Sequence, residues 1–537
     1  MSLFSFAFLL FLLVVMVLYF CLPAKVRWVV LLIASYVFYM ASGWTFTIFL
    51  VLVTVATFLA GHWLSKLNHA CTQTIQQLQP AEGQALSALK KETKARYTKK
   101  KRRVLALALI GIFGILFVIK YADFVIGNLN GLLELVKFDG QINFLNIALP
   151  LGISFFTFQS AGYLIDVYRG KVEADNNILK YALFVSYFPQ IIQGPIGRYD
   201  KLAHQLYEPH SFDYTRVKFG MQRMLWGFFK KMVIADRVSV VVNDIFANYQ
   251  TNHYTGFIIF LGALLYSIQI YADFSAGMDI VIGISESLGI TLTENFRRPF
   301  IAKSVAEFWQ RWHITLGAWM RDYLFYPLAL SKPFNNMSKR LRKLGSNYAA
   351  KVLPTCLASF IVFVLIGLWH GASWKYVVYG LYQAFFVSTG TLFEPFYAKC
   401  RRFFRIKPER FSWRCFQVLR TIFIVTVGRY LSRATSFMTA YGMYKATLAE
   451  WNPWVLFDGT LYKLGLDQKN FQFMILMIVF LFFIGFLQEK GIHLRERIAR
   501  QGLFVRWTIY FAAIFGLIIF GMYGDGFETA NFIYQGF

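Results

Sequence analysis

Two histidines have the residue type and setting for proton-transfer chemistry. The first, His370, lies in Gly367-Leu-Trp-His370-Gly371-Ala-Ser373-Trp374, at the end of one apolar run and just before the next. Imidazole titrates near neutrality, so a neutral ring can take a proton from a hydroxyl. The spacing predicts that Gly371 ends the first helix in a left-handed conformation and that Ser373 caps the next. The ring then sits on a tight turn, either facing a cavity or bonded to a backbone carbonyl. The second, His313, follows Phe308-Trp-Gln-Arg-Trp. Trp309, His313, Leu316 and Met320 recur at i, i+4, i+7 and i+11, which puts the imidazole on the apolar stripe of a helix, with Arg311 and Asp322 opposite. This predicts an interfacial amphipathic helix whose histidine turns into protein or lipid.

Polar groups within apolar runs are expensive in a membrane and mark pathways or internal networks. Asp273, Ser275 and Asp279 interrupt one such run, and Glu294, Asn295, Arg297 and Arg298 follow at its exit. They read either as lining a substrate tunnel or as a structural network tying broken helices together. Gln190 and Gln193 lie in Phe188-Pro-Gln-Ile-Ile-Gln-Gly-Pro-Ile-Gly-Arg198, a kinked and polar turn suited to a cavity wall. Trp369, beside His370, joins these candidates. No metal site is expected: HExxH is absent and neither histidine has a third ligand at helical spacing. No GxSxG elbow, P-loop or GxGxxG points to a soluble-type active site. The five cysteines include no CxxC pair.

The elements that must hold these residues are membrane helices. Of 537 residues, 57% are hydrophobic and only 15% charged, against roughly a quarter charged in soluble domains. An all-α, polytopic membrane protein forming a single domain over 1–537 is therefore expected. The run Leu3–Phe20 has no basic residue before it and no small-residue cleavage site, so it reads as a retained span. Further spans are expected at Trp28–Met40, Thr45–Leu64, Val104–Gly127, Leu145–Tyr168, Phe257–Ala272, Val352–Trp369, Tyr376–Phe393, Phe416–Leu431, Phe471–Leu487 and Trp507–Met522. Pro150 and Gly152 break the fifth of these eleven runs. Tyr181–Gly197, with Pro189, Gly194 and Pro195, reads as broken or re-entrant, which is tolerated only under cover of protein or a water-filled cavity.

The net charge of +27 reflects topology rather than nucleic-acid binding. Four stretches, 66–103, 331–351, 398–414 and 489–506, hold 28 of the 55 basic residues against five acids, and each abuts an apolar run. That is the positive-inside pattern. It makes 65–103 a cytoplasmic basic loop and places both termini outside, so the crossings are even in number: the ten outside 180–300, or twelve if that middle region, which holds Phe257–Ala272, adds a pair.

Five blocks occur in the order seen in the membrane-bound O-acyltransferase family: FPQIIQGPIGRY (188–199), QIYADFSAGMDI (269–280), ENFRRPF (294–300), FWQRWHITLGAWMRDYLFYPL (308–328) and LWHGASW (368–374). The sequence most resembles the bacterial branch that includes alginate O-acetyltransferases and the D-alanyl-transfer proteins of teichoic acid synthesis. Matching blocks span about 145–390. For the about 10–12 spans and the re-entrant and interfacial helices read above, the resemblance implies a bundle around a central tunnel with a histidine at its narrow point. It matches His370 and His313 to the family's catalytic positions. A thioester donor, acetyl-CoA or an acyl carrier protein, would enter from the cytoplasm as co-substrate with no bound cofactor. The 167 residues after His370 favour the acetyl branch, in the bacterial cytoplasmic membrane, with an exopolysaccharide or cell-wall polysaccharide as final acceptor.

The chemistry agrees with that resemblance. Acyl transfer to a hydroxyl needs a base, which His370 supplies, and a group that holds the developing oxyanion or the substrate, which His313 supplies. Direct transfer is simplest, and an acyl-histidine is the alternative. No large outer segment is available to grip a polymer, so a partner is expected: a membrane-anchored extracytoplasmic transferase or a small acyl-accepting membrane protein. D-alanyl transfer to teichoic acid and a non-enzymatic polysaccharide flippase are the competing readings.

Overall fold

The computed structural model describes residues 3–78 and 84–523. Its helices are α1 (Phe6–Cys21), α2 (Arg27–Met40), α3 (Thr47–Gln77), α4 (Gln84–Leu135), α5 (Ile153–Tyr168), α6 (Ile178–Ser186), α7 (Tyr199–Tyr207), α8 (Tyr214–Phe228), α9 (Asp236–Ala247), α10 (Gly256–Ser287), α11 (Val305–Arg311) and α12 (Ile314–Met320). Then follow α13 (Tyr326–Ala329), α14 (Lys332–Lys343), α15 (Asn347–His370), α16 (Trp374–Leu392), α17 (Glu394–Phe403), α18 (Phe411–Arg433), α19 (Phe437–Ala449), α20 (Gln468–Glu489), α21 (Leu494–Ala499) and α22 (Leu503–Phe520). Among the described residues there is no strand, and an isolated antiparallel bridge pairs Phe296 with Trp312. The all-α class holds.

Among the described residues six helices, α3, α4, α10, α15, α20 and α22, are long and apolar enough to cross a membrane. Others carry expected runs but are shorter or more polar: α1 has 16 residues, α2 has 14, and α18 is interrupted by Arg420 and Arg429. No residue of α22 is buried, and Phe504, Phe515 and Ile519 stand exposed along it. Apolar surface of that extent belongs against lipid.

The chain forms two compact units, Met1–Gly220 with Ile284–Thr293, and Met221–Gly283 with Glu294–Phe537. In the first, α3 packs on α4 and α5, and α2 on α6. The expected break before α5 is present. Gly152 takes φ +73 at the helix start, and a Cβ there would collide with the Ile191 carbonyl. The Tyr181–Gly197 region is a short helix followed by turns, buried from Tyr181 through Ile196. Hydrogen bonds hold it: the Phe188 N–H donates to Ser35 Oγ at 3.0 Å, and Gln190 Nε2 to Gln159 Oε1 at 2.8 Å.

The basic stretch 65–103, expected as a loop between two spans, is helical over most of its length. It extends α3 to Gln77 and begins α4 at Gln84, because its Lys, Arg, Gln, Glu and Ala residues are strong helix formers. The expected outside position of the tail concerns residues that lie mostly beyond those described.

In the second unit α15 packs against α16 and α16 against α18. Ser346 Oγ caps α15 by accepting from the Ala349 N–H at 3.1 Å. Gly367 and Gly380 let these two backbones approach: a Cβ on Gly380 would stand 2.6 Å from the Phe363 carbonyl oxygen and one on Gly367 would strike that of Tyr376. This close crossing fixes where α15 delivers its last residue, His370.

Candidate active site

His370 ends α15 and is 8% exposed. The turn after it differs from the expected one. Gly371 is extended at φ 170 rather than left-handed, and its N–H donates to the Leu368 carbonyl at 3.1 Å. Glycine is required there for space: a Cβ would lie 2.5 Å from the Tyr376 ring. Ser373 occupies the N-cap position of α16, but its side chain makes no capping bond. The His370 ring packs against Tyr376 and Tyr379, with centroids 6.4 and 6.1 Å away.

His370 lines a narrow cavity of about 10 Å³, room for roughly one water-sized group. Tyr266, Trp309, Trp312, Tyr379 and Arg429 are among its other walls. His370 is thus among the residues that line this cavity.

His313 departs from the continuous helical stripe. The helix breaks before it: α11 ends at Arg311, and His313 takes φ +47 as the residue that starts α12. A left-handed histidine is uncommon and is held here by long-range bonds. The Ile314 N–H donates to the Asn295 carbonyl at 2.9 Å, and the Arg297 N–H to that of Arg311 at 2.9 Å. Ser304 caps α11 through the Glu307 N–H at 3.1 Å, while Glu307 reaches back to the Lys303 N–H at 2.9 Å. The outcome for the side chain stands: His313 is 2% exposed.

Asn295 fixes the state of this ring. Its Oδ1 accepts from the Thr315 N–H at 3.0 Å and the Thr315 hydroxyl at 2.9 Å, and lies 3.2 Å from His313 Nδ1. An oxygen held by two donors accepts from the third neighbour as well, so Nδ1 carries the ring proton. Burial pushes the pKa of His313 down, which keeps the ring neutral with Nε2 as its basic nitrogen. The Trp369 indole meets both imidazoles edge-on, with centroids 5.8 Å from His313 and 5.0 Å from His370.

The other candidates divide. Asp273 and Asp236 both pair with Lys231, at 3.0 and 2.8 Å. Asp279 pairs with Lys230 at 2.7 Å and Arg223 at 2.9 Å, and Ser275 Oγ accepts from Lys230 at 2.7 Å. Lys230 and Lys231 project from a π-helical turn, Phe229–Ala235. These carboxylates are thus held in ion pairs with neighbouring lysines and an arginine. Gln190 and Gln193 belong to the first compact unit. Arg429 was missed by sequence reasoning: it sits in an apolar run counted only as a span, yet it is 3% exposed, lines the cavity, and stands 5.1 Å over the Trp312 ring. An arginine inside an apolar run was the available signal.

The profile of the MBOAT, membrane-bound O-acyltransferase family, matches residues 171–344. The chain is 31% identical over 482 residues to the probable alginate O-acetylase AlgI of Pseudomonas aeruginosa, covering 89% of this chain and 80% of that protein. It is 31% identical over 342 residues to a peptidoglycan O-acetyltransferase of Helicobacter pylori, covering 58% and 59%. It is 28% identical over 251 residues to a teichoic acid D-alanyltransferase of Bacillus subtilis, covering 46% and 60%.

Proposed function

This chain belongs to the membrane-bound O-acyltransferase family, and on that premise we propose that it moves an acetyl group from a cytoplasmic thioester across the membrane to a hydroxyl, for O-acetylation of an extracellular polysaccharide. It is a multi-pass membrane enzyme of O-acyl transfer. The observation that carries the reading is the buried imidazole of His370 on the wall of a narrow cavity. The acetyl choice rests on the similarity to alginate O-acetylases over most of the chain.

In the proposed reaction a hydroxyl approaches the thioester carbonyl carbon beside His370. The imidazole takes the hydroxyl proton as the C–O bond forms, and the carbonyl pair moves onto oxygen. The C–S bond then breaks, and the leaving thiolate receives the proton from the imidazolium. The stretch 434–467 between α18 and α20, read as lying on the outer face, contains α19 and short 3₁₀ turns. A second protein on that face, a membrane-anchored transferase or a small acyl acceptor, completes the delivery to polymer.

The test is reconstitution in vesicles with labelled acetyl thioester on the side of the basic stretches and polymer on the other. The reading expects thioester consumption, with label reaching polymer only when the partner is added. Absence of thioester consumption by correctly inserted protein, with partner and polymer supplied, rejects the acetyl-transfer reading. Efficient labelling of polymer alone rejects the partner.

A further inference from the structure

Arg429 is a buried cation that lines the His370 cavity, and two of its nitrogens are buried without hydrogen-bond partners. A guanidinium carries five N–H donors and does not deprotonate in proteins. Here Nη1 donates to the Tyr379 hydroxyl at a long 3.4 Å. Among the described residues Nε and Nη2 have no hydrogen-bond partner. Two other arginines of the same unit have closer hydrogen-bond partners. Arg237 donates to the Val233 and Phe520 carbonyls at 3.0 and 3.1 Å. Arg433, one turn beyond Arg429, donates to Asn243 Oδ1 at 2.8 Å. A buried charge without an ionic partner is costly, and an anion at a guanidinium makes strong charge-assisted hydrogen bonds.

The proposed reaction lacks a group to meet the charge it creates. His313 was the sequence-based candidate, but its ring donates through Nδ1 to Asn295 and presents a lone pair at Nε2, which cannot donate to an oxyanion. Tyr379 links Arg429 to the base, since its hydroxyl accepts from the guanidinium and its ring packs on His370 at 6.1 Å. The Trp312 face holds the guanidinium plane, so its donors are oriented before substrate arrives.

We propose that Arg429 is the oxyanion donor of the acyl transfer, offering Nε–H and Nη2–H to the thioester carbonyl oxygen within the cavity that His370 lines. The proposal rests on the acyl-transfer reading above. As the hydroxyl oxygen bonds the carbonyl carbon, its proton passes to His370 and the carbonyl π pair becomes a negative oxygen that the guanidinium binds. Collapse of the tetrahedral intermediate returns that pair, breaks the C–S bond and protonates the leaving sulfur from the imidazolium.

The experiment measures acetyl-thioester turnover by reconstituted wild type, Arg429→Ala, Arg429→Lys and His370→Ala, each checked for insertion and monodispersity. An inactive wild type rejects the acyl-transfer reading itself. With active wild type and inactive His370→Ala, the expectation for Arg429→Ala is a kcat lower by about 10²–10³-fold at nearly unchanged donor and acceptor KM. Arg429→Lys should fall between the two, and added guanidinium should restore part of the kcat of Arg429→Ala. Near-normal kcat in Arg429→Ala overturns the proposal. So does a loss confined to acceptor KM, which would make Arg429 a binder of substrate carboxylate. If Arg429→Ala does not fold, the lysine variant decides: wild-type kcat supports a charge-holding role in folding only and also overturns it.

Discussion

At the scale of single residues, the site separates two imidazoles by the company they keep. His370 looks into a cavity, whereas His313 is locked by Asn295 and Thr315 in one tautomer. Burial lowers the pKa of His313 below that of an unfolded chain, so the unfolded state binds its proton first as pH falls. Stability from this residue is complete above about 6.5 and is lost as pH drops below it. The slope is at most about 1.4 kcal/mol per pH unit for one proton. The thermal midpoint in detergent should fall between pH 7 and 5, and His313→Asn, which tolerates the left-handed backbone, should flatten that fall. Equal pH slopes in the two proteins would show that His313 is not held neutral by the fold.

At the scale of elements, what the sequence disclosed was whatever Pro, Gly and apolar runs announce. The start of α5 at Gly152 and the turns after α6 near Pro189 and Gly194 were legible because those residues restrict backbone locally. The break at His313 was not. No Pro or Gly marks it, and it depends on hydrogen bonds from Asn295, 18 residues away in sequence. Arg429 was hidden for a similar reason: an apolar run around one arginine reads as a span, and only the packing of α18 on α16 brings it to His370's cavity. The two histidines themselves were identifiable from their turns and motif blocks. The α15–α16 crossing that positions His370 has its own test. Gly380→Val places carbon against the Phe363 carbonyl and should cost about 1–3 kcal/mol, as overpacking does. Gly390→Val on the same helix meets nothing within 4 Å and should be nearly neutral. Similar melting points for both variants would deny that the close crossing matters.

At the scale of the whole molecule, orientation and chemistry must agree. Ten Lys and Arg against two acids in 66–103 make the cytoplasm the expected side for the end of α3 and the start of α4. With the native cysteines replaced, Lys94→Cys should resist an impermeant thiol reagent in intact cells and react after lysis. Ready labelling in intact cells would invert the orientation and put the thioester on the wrong face. The central claim is that His370 removes the proton during acyl transfer, and the most direct measurement is single-turnover transfer from labelled acetyl thioester by reconstituted wild type and His370→Gln inserted to the same extent. The account predicts a rate lower by about 10²–10⁴-fold in the variant, the usual effect of losing a general base. A rate in His370→Gln within a few-fold of wild type would contradict it.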